Sequence, residues 1–240
     1  VERLLTMEDC LAAMEEGYTE IGAGRAAFRT SSNIVTPTVH DGGVYALKSM
    51  DGVIPSMGVG VIRLNSDILT WETHNGSLRR IKKPAAPNKR WVGLVLMFST
   101  HTGEPLAIFP DGVMQRMRVG ATNGLAAKYM AREDAHSVAL IGSGWQAGAQ
   151  LMAITKVRRI DDIRVYSPTR ANRDAFAKEW ATKLGIPVTP APSVAEAVEG
   201  RDIVLCATSA LDTVVHKENI EPGMHLSSIK AHELAPGAIA

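Results

Sequence analysis

Two glycines one residue apart, Gly142 and Gly144, interrupt the run V-A-L-I-G-S-G-W-Q-A-G-A-Q at 138–150. An apolar stretch feeding such a turn and then a helix makes an anion site out of backbone. The run 138–141 reads as a buried strand and Gly142 as the tight turn. Gly144 reads as the position whose missing side chain lets a phosphate reach the main chain. Ser143, Trp145 and Gln146 complete the turn and open the helix, whose unpaired N–H groups and positive dipole end face that phosphate. Ala147 takes the third place of the dinucleotide fingerprint, where a small residue lets helix and strand pack closely.

The end of the second strand decides which dinucleotide fits. A carboxylate there holds the free ribose hydroxyls of NAD and repels a 2′-phosphate. The residues at that point are Ser167, Pro168, Thr169 and Arg170, with Arg173 one turn on. Asp161 and Asp162 lie at about the sequence distance the fingerprint allots to the acid, but they precede the strand and so belong at its far end. With a hydroxyl and two guanidinium groups in place of an acid, NADP(H) is the favoured cofactor and NAD the alternative.

The elements that position these residues alternate strand and helix. Strands are expected at 138–141, 164–166, 186–189 and 203–206, and helices at 171–184 and 193–198. Pro187 removes a ladder donor, so the third strand should be short and near a sheet edge. This alternation predicts an α/β fold, a doubly wound parallel sheet with its ligand crevice at the carboxyl ends of the strands.

The first half differs in kind. Residues 6–24 read as an amphipathic helix with Leu11, Met14, Tyr18 and Ile21 at helical spacing and Thr6 as its cap. Short β signals follow at 44–47, 57–64, 67–71, 92–98 and 106–109, broken by glycine- and proline-bearing turns. The expected organisation is a smaller, mostly β, α+β substrate and dimerisation domain at 1–117, a connecting helix at 118–134, and the dinucleotide domain at 135–240.

Composition sets bounds. The 240 residues are 45% hydrophobic, enough for one large or two modest domains with true cores. A net charge of +1 gives no general reason to expect nucleic acid or an anionic membrane. Two distant cysteines, Cys10 and Cys206, indicate neither a disulfide framework nor a metal cluster, and a reducing cytoplasm is the simple setting. No apolar run reaches membrane-span length.

Several longer motifs resemble the ornithine cyclodeaminase and mu-crystallin family: T-G-E-P-L-A at 102–107, R-V-G-A-T-N-G-L-A-A-K-Y-M-A at 118–131, the G-S-G-W-Q-A turn, A-T-S-A at 207–210 and P-G-M-H-L at 222–226. The resemblance covers nearly the whole chain. It implies a Rossmann-type NAD(P) domain, with Ala207, Thr208 and Ser209 also at the cofactor, and a homodimer paired through the other domain. Family members include cyclodeaminases, amino acid dehydrogenases, ketimine reductases and a binding protein. Their chains continue past the point matching Ala240, so the resemblance implies that the end of the fold lies beyond this sequence.

The resemblance also implies a clamp for a substrate α-carboxylate, made by Arg29 in F-R-T, Lys48 in Y-A-L-K and Arg118 in M-R-V-G-A. Three converging cations are costly unless an anion joins them. Lys48, its pKa pushed down among other cations, is the candidate to exchange a proton with the substrate nitrogen, with Arg118 beside it in catalysis. Cyclodeaminases carry two further carboxylates for a diamine. Here the first region reads I-V-T-P-T at 34–38 and the second H-L-S-S-I-K-A-H-E-L at 225–234, with neither acid at its place, so ornithine is disfavoured. Lys230 and His232 stand near the shortened loop as further substrate-side candidates, and Val119 replaces the usual threonine after the clamp arginine. His101 and His225 read as structural.

The expected chemistry is hydride transfer between a nicotinamide and the α-carbon of a small 2-amino, 2-imino or 2-oxo acid. The alternatives are a redox-neutral, ammonia-releasing cyclodeaminase and a non-catalytic binding protein.

Overall fold

The computed structural model describes residues 4–74, 77–83 and 92–238. The chain divides into two compact units. The first comprises Val1–Leu5, Ala12–Glu72 and Arg80–Gln115, and the second Thr6–Leu11, Thr73–Arg79 and Arg116–Ala240.

Helix α1 (Met7–Gly22) begins with a reciprocal cap: the Asp9 N–H donates to the Thr6 hydroxyl at 3.1 Å, and that hydroxyl donates to the Asp9 carboxylate at 2.6 Å. Strands β1 (Ala27–Phe28), β2 (Ser32–Pro37), β3 (Val44–Ile54), β4 (Val59–His74), β5 (Ser77–Lys83), β6 (Val92–Ser99) and β7 (Pro105–Pro110) form one sheet. Its path is β1-β3-β4-β6-β7, with β2 also on β3 and β5 on β4.

Two strands are longer than the sequence signals indicate. The signals at 57–64 and 67–71 belong to one strand, β4, and 44–47 is only the start of β3; β5 carried no signal that was read. The polar residues along these strands find partners inside the sheet. Asn65 is buried and its Nδ2 donates to Asp111 at 3.3 Å, while the Ser66 and Tyr45 hydroxyls lie 3.2 Å apart. Asp51 pairs with Arg29 through two bonds of 2.7 and 3.0 Å. Polar residues satisfied across a ladder cost nothing to β structure.

After helix α2 (Gly112–Met130) the second sheet is built from β8 (Ser137–Ile141), β9 (Asp162–Tyr166), β10 (Val188–Pro190), β11 (Ile203–Cys206) and β12 (His225–Ser228). All its pairings are parallel, in the order β10-β9-β8-β11-β12. The order reverses at β8, so the chain winds both ways from its first strand, and a crevice opens where the loops after β8 and β11 diverge. The short third strand, β10, is an edge strand, and Pro187 contributes its carbonyl to the Ile163 N–H at 3.1 Å.

Strand alternation sorts the core into two layers. Val138, Leu140, Ile203 and Leu205 face helices α3 (Trp145–Val157) and α4 (Arg170–Leu184), where Leu151, Ile154 and Trp180 are buried. Ala139, Ile141, Val204 and Cys206 face the other layer with Val198 of α5 (Val194–Val198). Helix α2 lies close to α3 because Gly124 and Gly120 leave room: an added Cβ at Gly124 would stand 2.9 Å from the Ala153 Cβ, and one at Gly120 would overlap the Ala149 carbonyl. Between them the buried Asn123 Nδ2 donates to Gln150 Oε1 at 2.6 Å. No helix among the described residues is long and apolar enough to cross a membrane.

Candidate functional site

The crevice at the switch point encloses about 620 Å³. Its floor is the turn between β8 and α3. Gly142 has φ +120°, and a side chain there would run into the Ala207 carbonyl carbon, 2.8 Å from the added Cβ. The same residue donates its N–H to the Tyr166 carbonyl at 2.8 Å, and Ala207 donates to the Ile141 carbonyl at 2.8 Å. The turn is therefore wedged between the ends of β9 and β11, a position open only to glycine.

Gly144 behaves differently. It caps α3 without any side-chain hydrogen bond, and an added Cβ there meets nothing within 4 Å. The first turn of α3 thus presents backbone donors and a positive dipole end to open space. Ala147, fully buried, lets the helix sit on the sheet. A bare turn, an uncapped helix start and free space above them fit a dinucleotide pyrophosphate, and the fit rests on backbone rather than on side-chain identity.

Of the expected cofactor residues, Gly142, Ser143, Gly144, Trp145, Gln146, Ser167, Thr169, Ala207, Thr208 and Ser209 line this crevice. Arg170 and Arg173 do not. Arg173 is tucked against the ring of Tyr166 at 5.9 Å and donates to the Ser167 carbonyl at 3.3 Å. Arg170 is turned outward, its side chain 87% exposed and 3.5 Å from Asp174. Asn172 takes the lining position between them. It was not singled out from sequence, because helix phase decides which of three successive polar residues faces in.

The far wall is held by a residue that sequence reasoning also passed over. Glu233 is fully buried and accepts four hydrogen bonds. One carboxylate oxygen takes the Thr208 N–H and hydroxyl, both at 2.7 Å; the other takes the N–H groups of Ile229 and Lys230 at 3.1 and 3.0 Å. Its carbonyl also receives the Val214 and Val215 N–H groups at 3.0 Å. Through its carboxylate and its carbonyl, Glu233 thereby ties together three loop segments that wall the crevice. Lys230 and His232 both reach the Ala210 carbonyl, at 3.2 and 3.0 Å, so both lie against this same wall.

Burial pushes the Cys206 thiol far up, with the Glu233 carboxylate adding to the effect, so it is no nucleophile at neutral pH. Burial, and secondly the Arg158 guanidinium, push His225 down, so it stays neutral at the start of β12.

The clamp residues fall as follows. Arg29 follows β1, and its guanidinium is occupied by Asp51. Lys48 is half-buried on β3, opposite Asn65 of β4. It stands three residues from Asp51, so strand alternation puts the two on opposite faces of the sheet, and the first unit does not bring Arg29 and Lys48 together. The Lys48 face carries Arg63 and Asn65, both bonded to the buried Asp111. Arg118 is half-buried on α2.

A parallel sheet reversing at its first strand, with a glycine turn below an open crevice, defines the class of dinucleotide-binding α/β proteins. Within that class the chain belongs to the ornithine cyclodeaminase/mu-crystallin family, whose sequence pattern matches residues 1–237. It is similar to a Delta(1)-pyrroline-2-carboxylate reductase of Bacillus cereus, 30% identical over 177 residues, covering 74% of this chain and 52% of the relative. Among solved structures it resembles the Delta(1)-pyrroline-2-carboxylate reductase of Thermococcus litoralis in complex with NADH and L-proline. That match has 29% identity and a TM-score of 0.79, and covers 95% of this chain and 66% of that one. An archaeal alanine dehydrogenase dimer with bound NAD matches at 25% identity with a TM-score of 0.77, covering 94% and 63%. The chain spans about half the length of the Bacillus relative.

Proposed function

We propose that the protein is an NAD(P)-dependent oxidoreductase acting on the C=N or CH–NH bond of a small 2-imino, 2-oxo or 2-amino acid. The observation that carries this reading is the glycine-floored crevice at the switch point, in a chain of a family whose similar members include pyrroline-2-carboxylate reductases. When bound, the dinucleotide would supply or accept the hydride. The turn at 142–146 would hold its phosphates. Lys48 would exchange a proton with the substrate nitrogen, and Arg118 with Lys48 would hold the carboxylate, with Arg29 left on the other face in its pair with Asp51. Residues 1–117, 118–134 and 135–240 are the proposed substrate domain, connecting helix and cofactor domain.

A homodimer is proposed as well. In the first unit Ile34 and Val35 on β2 and Ile108 on β7, strands at the two edges of the sheet, are each more than half exposed, apolar positions that a second copy could cover. Two buried, free thiols suit a reducing cytoplasm.

Absorbance of the reduced nicotinamide, followed with cyclic imines and with 2-oxo acids in the presence and absence of amines, tests the function. Oxidation by an imine or oxo acid is expected, and Lys48→Ala should lower kcat by roughly a hundredfold or more. Ammonia release from a diamino acid without consumption of cofactor would replace this reading with a cyclodeaminase. Saturable cofactor binding with no turnover of any acid would replace it with a binding protein.

NADP(H) is the favoured form. The end of β9 carries hydroxyls and no carboxylate, and Arg170 is close enough in sequence to meet a 2′-phosphate on turning from Asp174. Arg170→Ala should weaken NADPH binding by roughly tenfold, about 1.4 kcal/mol, and leave NADH unchanged. Equal affinity of the unaltered protein for both dinucleotides would overturn the preference.

A further inference from the structure

We infer that Arg79 is an oxyanion-binding residue of the crevice, delivered there by the strand β5. The inference rests on the dinucleotide reading above and adds a binding residue that this reading lacks.

Among the described residues lining the crevice, Arg79 alone carries a formal charge. The glycine turn, Trp145, Gln146, Asn172 and the hydroxyls of Ser167 and Thr208 are neutral. Arg79 is half-buried, and its guanidinium has no hydrogen-bond or ion-pair partner among the described residues. Its backbone is pinned: Arg79 forms an antiparallel bridge with Ala210, and the Leu211 N–H donates to the Leu78 carbonyl at 3.3 Å. Leu78 and Arg79 belong to the same compact unit as the crevice. A half-buried cation on a tethered strand, facing a cavity and paired with no described residue, is an arrangement that an oxyanion relieves.

Position narrows the choice of anion. In the sheet order, Ala210 follows β11, on the side of β8 away from β9. In an open α/β sheet the adenosine half lies toward the second strand and the reacting half beyond the switch point. A 2′-phosphate near Ser167 is therefore excluded as the partner. Two oxyanions remain within this chemistry, the pyrophosphate above the glycine turn and the carboxylate of an acid bound at the reacting end. The other basic groups nearby are engaged elsewhere, since Lys230 donates to the Ala210 carbonyl and Arg173 to the Ser167 carbonyl.

Arg79→Ala and Arg79→Lys in the full chain test the inference, with circular dichroism to confirm that both fold. Dissociation constants are measured for NADPH, NADH, ADP-ribose and inorganic pyrophosphate, and KM for the acid substrate found. Arg79→Ala should weaken one class of oxyanion by roughly tenfold or more, with partial recovery in Arg79→Lys. Weaker binding of the dinucleotides, ADP-ribose and pyrophosphate identifies the cofactor's phosphates as the partner. A raised KM with unchanged cofactor binding identifies the substrate carboxylate. Constants within about twofold of the unaltered protein for every ligand would overturn the inference. Should the unaltered protein bind no dinucleotide, the parent reading falls. Arg79-dependent binding of pyrophosphate would then still sustain this inference, and indifference to Arg79 would end it.

Discussion

Gly142→Ala is expected to lose dinucleotide binding and to destabilise the second unit by on the order of 3 kcal/mol, read as a lowered denaturation midpoint at unchanged slope. Two independent costs combine. Gly142 holds φ +120°, a conformation that a side chain resists, and its Cβ would collide with the Ala207 carbonyl group. Relief by moving the turn would pull on the Tyr166 and Ile141 carbonyl bonds that align β9 and β11 with β8. The crevice floor would then shift relative to the start of α3, and affinity should fall with stability. Unchanged stability and affinity would show that the turn is not wedged as described.

Glu233→Gln should be the more damaging of two conservative changes in the far wall, costing about 3 kcal/mol. A carboxylate offers acceptors on both arms, and here each arm meets two donors. An amide must turn its NH₂ toward one of those pairs, leaving buried donors facing a donor. Glu233→Asp keeps the acceptors and loses reach, so it should be milder. Because Thr208 and Ile229 hang on this side chain and line the crevice, cofactor affinity should fall in the same order. Equal stability of the Gln and unaltered proteins would show that the carboxylate is not the tie.

The contrast between these two residues shows what a sequence reveals. Gly142 was legible because its chemistry is backbone chemistry. A strand, a glycine pair and a helix in succession can close in few ways, and the alternation that follows fixes a parallel sheet. Glu233 was not legible, since nothing local distinguishes an acid in A-H-E-L from a solvated one. Only the folding together of the loops after β11 and β12 brings four donors onto it.

Arg79 was hidden for a related reason. It lies in S-L-R-R-I-K-K, a basic run with neither the apolar alternation nor the β-branched content that marks a strand, on a strand the sequence did not signal. At the end of β9 the residue types pointed to the arginines. Helix phase instead turns Asn172 inward and folds Arg173 onto Tyr166. The substrate side was read only through family resemblance, and the pairing of Arg29 with Asp51 depends on a register, Phe28 opposite Gly52, that no local pattern announces.

Whether the turn at 142–146 holds a dinucleotide phosphate is decided by titrating the protein and Gly144→Ala with NADPH and NADH, following the fluorescence of the reduced ring. Position 144 has ordinary extended geometry and open space around it, so alanine should leave the denaturation midpoint nearly unchanged while its methyl group occupies the approach of the phosphate. The predicted result is saturable binding by the unaltered protein and at least roughly tenfold weaker binding by the variant. No saturable binding of either dinucleotide, or equal binding by the two proteins, would contradict it.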